Sequence, residues 1–366
     1  MKKITTFDDW TDCFREWQKD IGYDPALLGD YKFETKLAEL HSSEIEFGDF
    51  RGRAKWERVE QIPNQSIRDA LLNLIVYQGD TEFASVEQQK NLLDTAPTEY
   101  DRQAIIRVNS DEMRHGWQMC CLLVQYFGDS GKLEAQKLLE RRANHGSRLL
   151  GSFNQPVNNW LDFFTYTQFV DRDGKFQLTM LTHSSFAPLA KSVAAMLKEE
   201  FFHMFTGNAG LTRILKSGKV PTPIIQKYFN KWLSTAYDLF GTDHSSSAHW
   251  AYVWGLKGRY DEHEAKDDAD KGRLNELSRV QYYNECQRLV DELNKLIPKD
   301  QPKLGIPDLK FRRAIGDCAG KPYSAEGKLL TEEEYAKYLT EVLPGPEDER
   351  ILGEIFKEKD WVVQMN

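Results

Sequence analysis

Glu112-Met113-Arg114-His115 and Glu200-Phe201-Phe202-His203 share one pattern, a carboxylate followed three residues later by an imidazole. On a helix that spacing puts both side chains on one face, one turn apart. A single such pair is commonly a surface ion pair. Two pairs suit a metal pair inside a helical bundle, which takes two Glu-x-x-His helices and one carboxylate from each of two other helices. Acids upstream of each motif can supply those carboxylates. Glu82 lies 30 residues before Glu112, with the midpoint at Pro97. Asp171 lies 29 residues before Glu200, with the midpoint near Ser185. In an antiparallel helical hairpin, residues equidistant from the turn lie at one height. Glu82 is therefore expected opposite Glu112, each about 22 Å from its turn at about 1.5 Å per residue, and Asp171 opposite Glu200. Asp173 competes with Asp171, and the two lie about 200° apart around a helix, so only one can face the site.

Apolar neighbours surround these acids: Phe83 and Ala84 beside Glu82, Phe169 and Val170 before Asp171, Leu197, Phe201 and Phe202 around Glu200. Buried charges are normally paired or bound to metal. Four carboxylates and two imidazoles form a hard oxygen and nitrogen set, which suits iron or manganese and disfavours copper(I) or a thiolate zinc site. Two iron ions are expected, with a manganese pair or a mixed pair left open. A ligand histidine usually bonds a further partner through its other ring nitrogen, and Asp111 or an acid of a neighbouring helix is expected there. Glu199 also precedes a ligand glutamate. Gln78, four residues before Glu82, shares its face and is a candidate to reach the metals or the bound oxygen. Thr206, three residues after His203, is a candidate proton relay. His41, His145, His183, His244, His249 and His263 lack partner spacing and are read as structural or surface residues.

The elements that must carry these residues are helical. Apolar residues recur at helical spacing over Ser66–Asp94, although Gly79 costs about 1 kcal/mol there against alanine. Thr95-Ala96-Pro97-Thr98 is a turn, and further helices are expected over 99–126, 132–150, 156–183, 186–207, 222–239, 273–296 and 331–342. Asp171-Arg172-Asp173-Gly174 has turn-like composition. The ligand spacing nevertheless requires helix through it, and such local conflicts concentrate at functional sites. Sustained two-residue alternation is absent, so the fold class is all-α: a four-helix bundle with its core at about 66–207 inside a helical domain of 1–297. The proline-rich stretch from Pro298 marks residues 298–366 as an extended C-terminal tail packed on the bundle.

Bulk properties agree. The chain has 366 residues, 40% apolar and 12% aromatic, with a net charge of −9. That balance argues against nucleic acid and anionic membranes as partners. The start, Met1-Lys2-Lys3-Ile4-Thr5, lacks an apolar signal segment, no run of 18 apolar residues occurs, and five cysteines form no CxxC. A cytoplasmic protein with reduced thiols is expected.

The strings around both motifs, together with Phe169-Val170-Asp171-Arg172-Asp173-Gly174-Lys175, Leu181-Thr182-His183-Ser184-Ser185-Phe186-Ala187-Pro188, Leu239-Phe240-Gly241, Trp254-Gly255-Leu256-Lys257-Gly258-Arg259 and Phe311-Arg312-Arg313-Ala314-Ile315-Gly316, resemble the bacterial ferritin-like di-iron epoxidases that act on aromatic CoA thioesters. The resemblance runs from about residue 70 to the C-terminus. It implies a ferritin-like bundle with Glu82, Glu112, His115, Asp171, Glu200 and His203 as metal ligands, so it favours Asp171 over Asp173. Gln78 falls close by.

It also implies an O2-dependent monooxygenase whose substrate is benzoyl-CoA, with phenylacetyl-CoA or another thioester as the alternative. One oxygen atom would enter the ring and the other would leave as water. The chain has no cysteine quartet and no dinucleotide-binding motif, so electrons must come from a separate NAD(P)H-dependent reductase. Lys257, Arg259, Lys310, Arg312 and Arg313 are candidate cations for CoA phosphates. Two rivals are an iron-handling protein of the same bundle type and a non-catalytic structural subunit. The long C-terminal extension weighs against the first, and the complete ligand set weighs against the second.

Overall fold

A computed structural model describes residues 3–264 and 274–365. Regular structure among them is helical, with three isolated β-bridges. Helix α1 (Phe7–Asp20) leads to α2 (Gln65–Gln89), α3 (Glu99–Tyr126), α4 (Gly128–Glu140), α5 (Trp160–Thr182), α6 (Ala187–Ser217), α7 (Thr222–Leu239), α8 (Ser246–Val253), α9 (Leu274–Asn294), α10 (Glu332–Val342) and α11 (Pro346–Ile355). The expected start of α9 at 273 lies outside the described residues.

Four helices build the bundle. Helix α2 packs on α3, α5 packs on α6, and α3 meets α6 across the middle. Side-chain caps fix where three of them begin. Asn64 accepts from the Ile67 amide at 3.0 Å, Thr98 from Asp101 at 3.1 Å and Asn159 from Asp162 at 2.9 Å, satisfying amides that a first turn leaves without partners. Helix α6 starts with Pro188 in its first turn, where a missing N–H costs nothing. The hairpin turns fall where the ligand spacing put them, at 96–98 and 183–186.

Helix α5 is continuous through 171–174 because each polar residue there has its own task. Arg172 and Lys175 both bond Glu285 of α9, and Asp173 accepts from Gln177 at 3.1 Å.

Helix α6 runs ten residues past its expected end at Gly207. Gly207 and Gly210 are contact points with α5 rather than stops. A Cβ at 207 would lie 2.5 Å from the Gln168 amide nitrogen, and one at 210 would lie 2.2 Å from the Phe164 ring. The true stop is Gly218, whose φ of +66° suits glycine alone at low cost. Helix α4 ends at Glu140 instead of near 150. The chain then turns so that Arg148, fully buried, bonds Asp80 at 3.1 Å and Glu87 at 2.7 Å. Helices α1, α8 and α11 complete the set. Trp10, Phe14 and Trp17 of α1 bury against α2 and α3, with Trp17 and Phe83 rings 4.9 Å apart. Past residue 298, Asp348 bonds Lys227 at 2.9 Å and the Val363 carbonyl accepts from Arg213 at 2.6 Å. No helix among the described residues is long and apolar enough to cross a membrane.

Candidate metal centre

Glu82 on α2, Glu112 and His115 on α3, Asp171 on α5, and Glu200 and His203 on α6 converge in the middle of the bundle, all buried. Their ligand atoms form two overlapping groups: Glu82, Glu112, His115 and Glu200 in one, Glu112, Asp171 and His203 in the other. His115 Nδ1 lies 3.3 Å from Glu82 Oε2, 3.8 Å from Glu112 Oε2 and 3.6 Å from Glu200 Oε1. His203 Nδ1 lies 3.6 Å from Glu112 Oε1 and 3.3 Å from Glu200 Oε2. Glu112 and Glu200 thus turn one oxygen toward each imidazole, as bridging carboxylates do. The two imidazole centroids are 6.1 Å apart.

The donor set fits a pair of metal ions. Both Nδ1 atoms and Asp171 Oδ2 are buried without a hydrogen-bond partner. Buried polar atoms are rarely left so, and a pair of metal ions, one in each group, would satisfy all three. Charge agrees as well. Four carboxylates match two divalent cations with the imidazoles neutral.

The same carboxyls and imidazoles also compete for protons. Burial, then the charge of Glu82, pushes the Glu112 carboxyl well up. Burial does the same to Asp171. Burial opposes charging of His115 and His203, yet the surrounding carboxylates outweigh it and raise both. Glu82 remains the anion. Its contacts with Glu112 and His115 and the hydrogen bond from Gln78 overcome its burial and hold it down at about 2.

Each outer ring nitrogen meets an acid of the opposite motif. His115 Nε2 is 2.8 Å from Glu199, which also receives Arg114 and Lys36. His203 Nε2 is 3.8 Å from Asp111, which accepts from the Tyr31 hydroxyl at 3.0 Å. Gln78 Nε2 donates to Glu82 Oε1 at 2.5 Å. Thr206 donates to its own helix at the Phe202 carbonyl, 2.9 Å away, and is not among the cavity-lining residues.

A cavity of about 740 Å³ opens between α2 and α5 onto the centre. Glu82, Glu112, Asp171 and Glu200 line its inner end, with Val170, Leu178 and Leu181 along one wall and Ser245, Trp250 and Asn275 farther out. Asp173 also lines it but belongs to neither ligand group. Its burial lifts its carboxyl to about 7. Tyr166 is a wall residue that sequence reading missed, a buried phenol with an unbonded hydroxyl. Only its place five residues before Asp171 hinted at it.

Of the five candidate cations, Lys257 alone lines the cavity. Arg259 is held by Asp261 at 2.9 Å, Arg313 by Asp238 at 2.5 Å, Arg312 bonds Ser234 at 3.1 Å, and Lys310 lies over the Tyr323 ring. The unassigned histidines are not all solitary. His183 and His263 flank Glu46 at 3.3 and 3.4 Å, where the Lys55 ammonium, 3.4 Å away, already supplies a cation.

Residues 56–302 match the family model described as phenylacetic acid catabolic protein. The chain belongs to that family. It is 35% identical over 376 residues to benzoyl-CoA oxygenase component B of Aromatoleum evansii, covering 90% of this chain and 78% of the relative. It is 23% identical over 192 residues to a 1,2-phenylacetyl-CoA epoxidase subunit of Escherichia coli (strain K12), covering 52% of this chain and 60% of that relative. One relative is an oxygenase component by name and the other an epoxidase subunit, and the buried donor set of this chain could hold a metal ion.

Proposed function

We propose that the chain is the oxygenase component of a multi-component monooxygenase that epoxidises an aromatic acyl-CoA, benzoyl-CoA first. The observation that carries it is the sharing of Glu112 and Glu200 between His115 and His203 at the blind end of a cavity of substrate size. Glu82, Glu112, His115, Asp171, Glu200 and His203 would hold two iron ions, and bound iron supplies the redox and Lewis-acid chemistry that dioxygen requires. The balance is one thioester, O2, two electrons and two protons in, and one epoxide and one water out. A separate NAD(P)H-dependent reductase would supply the electrons.

The protein's own part is positioning. Gln78 fixes one oxygen of Glu82 and leaves the other facing His115. Glu199 fixes the ring plane of His115, and Asp111 stands beside His203 without bonding it. The wall of Val170, Leu178 and Leu181 excludes water and accepts an aromatic ring. Residues 298–366 are an extension packed on the bundle rather than a free domain. An iron-storage role gives no reason for an organic-sized cavity beside the donors.

Iron quantification and Mössbauer spectra, before and after reduction and exposure to oxygen with benzoyl-CoA, test the reading. About two irons per chain are expected for a bundle of this kind, with an oxygen-dependent change and a product heavier by one oxygen atom. A chain that binds no iron, or iron indifferent to reductant and oxygen, overturns it. Phenylacetyl-CoA in the same assay distinguishes the substrates.

A further inference from the structure

Helix α5 presents Val170, Gly174, Leu178 and Leu181 to the cavity, a stripe at helical spacing in which one member has no side chain. Glycine is the weakest helix former after proline, so an interior glycine calls for a reason. The other glycines inside the bundle helices have one. A Cβ at Gly79 would press Leu138 and Met119 at 3.1 and 3.2 Å, and one at Gly116 would lie 2.7 Å from the Phe83 ring. Gly207 and Gly210 meet α5 at 2.5 and 2.2 Å. Gly174 has neither excuse. Its φ is ordinary, and a Cβ there would meet a single atom within 4 Å, Glu200 Oε2 at 3.9 Å. Packing would accept a side chain at 174. What the glycine supplies is empty space in the cavity wall, one turn beyond Asp171 and directly against a shared carboxylate.

We propose that Gly174 is a specificity-determining residue, a slot that admits the flat ring of an aromatic thioester edge-on to the metal centre. The inference rests on the aromatic acyl-CoA reading above and deepens it. Linear acyl chains are thinner and can pass without the slot. A ring carrying a substituent needs the slot most. Each added methyl group should therefore exclude aromatic thioesters selectively, and a pocket that loses one methylene of room typically discriminates by tenfold or more.

The test uses the full iron-loaded chain, its Gly174→Ala and Gly174→Val variants, and three probes: benzoyl-CoA, 4-chlorobenzoyl-CoA and butanoyl-CoA. Calorimetric Kd and the iron content are read for each. In Gly174→Ala the ratio of Kd for benzoyl-CoA to Kd for butanoyl-CoA should rise about tenfold. The ratio for the chlorinated ring should rise further, at unchanged iron content and undiminished Tm. Gly174→Val should extend the trend. Gly174→Ala carries the test if the larger variant fails to fold. If the unaltered chain binds benzoyl-CoA and both ratios stay within twofold in Gly174→Ala, the slot is overturned and the substrate reading stands. If the unaltered chain binds neither aromatic thioester, both are overturned.

Discussion

His115 Nε2 lies 2.8 Å from Glu199 Oε2, so the imidazole of one Glu-x-x-His motif is oriented by the acid that precedes the glutamate of the other. The first motif places Asp111 near His203 in the same way, but at 3.8 Å and without a hydrogen bond. Helix α6 thus sets the ring of the α3 histidine, and the two motifs form one unit across the α3–α6 contact.

Glu199→Gln should weaken metal retention without emptying the site. The amide keeps the shape but loses the charge that fixes the His115 tautomer, and it leaves the buried Arg114 guanidinium with a neutral partner. Loss of such an outer partner typically costs 10–100-fold in metal affinity. Iron per chain after dialysis against graded chelator measures it. A midpoint equal to that of the unaltered protein would show that Glu199 plays no such part.

Glu112 and Asp171 should behave differently when truncated. Glu112 belongs to both ligand groups, whereas Asp171 belongs to one. Glu112→Ala should lose both irons, and Asp171→Ala should retain roughly one, in the Glu82, Glu112, His115 and Glu200 group, of the two such bundles hold. Metal analysis of the folded variants decides. Equal loss in both would rule out the unequal sharing.

Metal loading should depend on pH in one direction. Glu112, Asp171, His115 and His203 all have folded pKa values above their unfolded ones. Above about pH 5, where Glu82 and Glu199 are ionised folded or unfolded, the metal-free fold therefore binds more protons than the unfolded chain. Its stability falls as pH rises through those values. Bound metal replaces these protons, so loading releases them and grows tighter with pH. The Tm gap between loaded and metal-free protein should widen from pH 6 to pH 8. An anaerobic ferrous titration in weak buffer should acidify the solution. A constant gap with no proton release would contradict this account.

The ligand helices were legible because their signal is arithmetic. The spacings 82 to 112 and 171 to 200 place both turns and both facing pairs, and the structure has its turns there. Glycine was read less well, because its meaning depends on what lies opposite. Gly207 reads as a stop in sequence, yet it marks the approach of α6 to α5. The cavity was invisible for the same reason. Val170, Leu178 and Leu181 look like core residues, and only the separation of α2 from α5 turns them into a wall. Charge partners over long separations, such as Arg148 with Asp80 or Arg172 with Glu285, leave no periodic trace.

Gly210→Ala tests the close approach of α6 to α5. The new methyl group would stand 2.2 Å from a Phe164 ring atom, and that ring is itself buried against Trp160 and Phe163. Overpacking of this kind costs about 1–3 kcal/mol, against a gain of about 1 kcal/mol in helix propensity. Urea unfolding should show a net loss of stability. A more stable variant would mean that the helices can separate freely, which the shared ligands of α5 and α6 disfavour.

Lys257 should make acyl-CoA binding sensitive to mild alkali. Its amine lines the cavity and donates to Gln177 Oε1 at 2.7 Å. Burial lowers its pKa to about 8, against the opposing pull of Asp173 and Asp243. Below about 8 the group is an ammonium and attracts the anionic CoA moiety. Above it the amine is neutral and the attraction ends. The Kd for benzoyl-CoA should therefore rise as pH passes from 7 to 9, and the bound anion should shift the midpoint upward by favouring the charged form. Lys257→Met should bind several-fold more weakly at pH 7 and show a flat profile over the same range, because its side chain keeps the length but carries no proton. A steep alkaline loss that persists in Lys257→Met would assign the titration to another group and remove Lys257 from the binding of CoA.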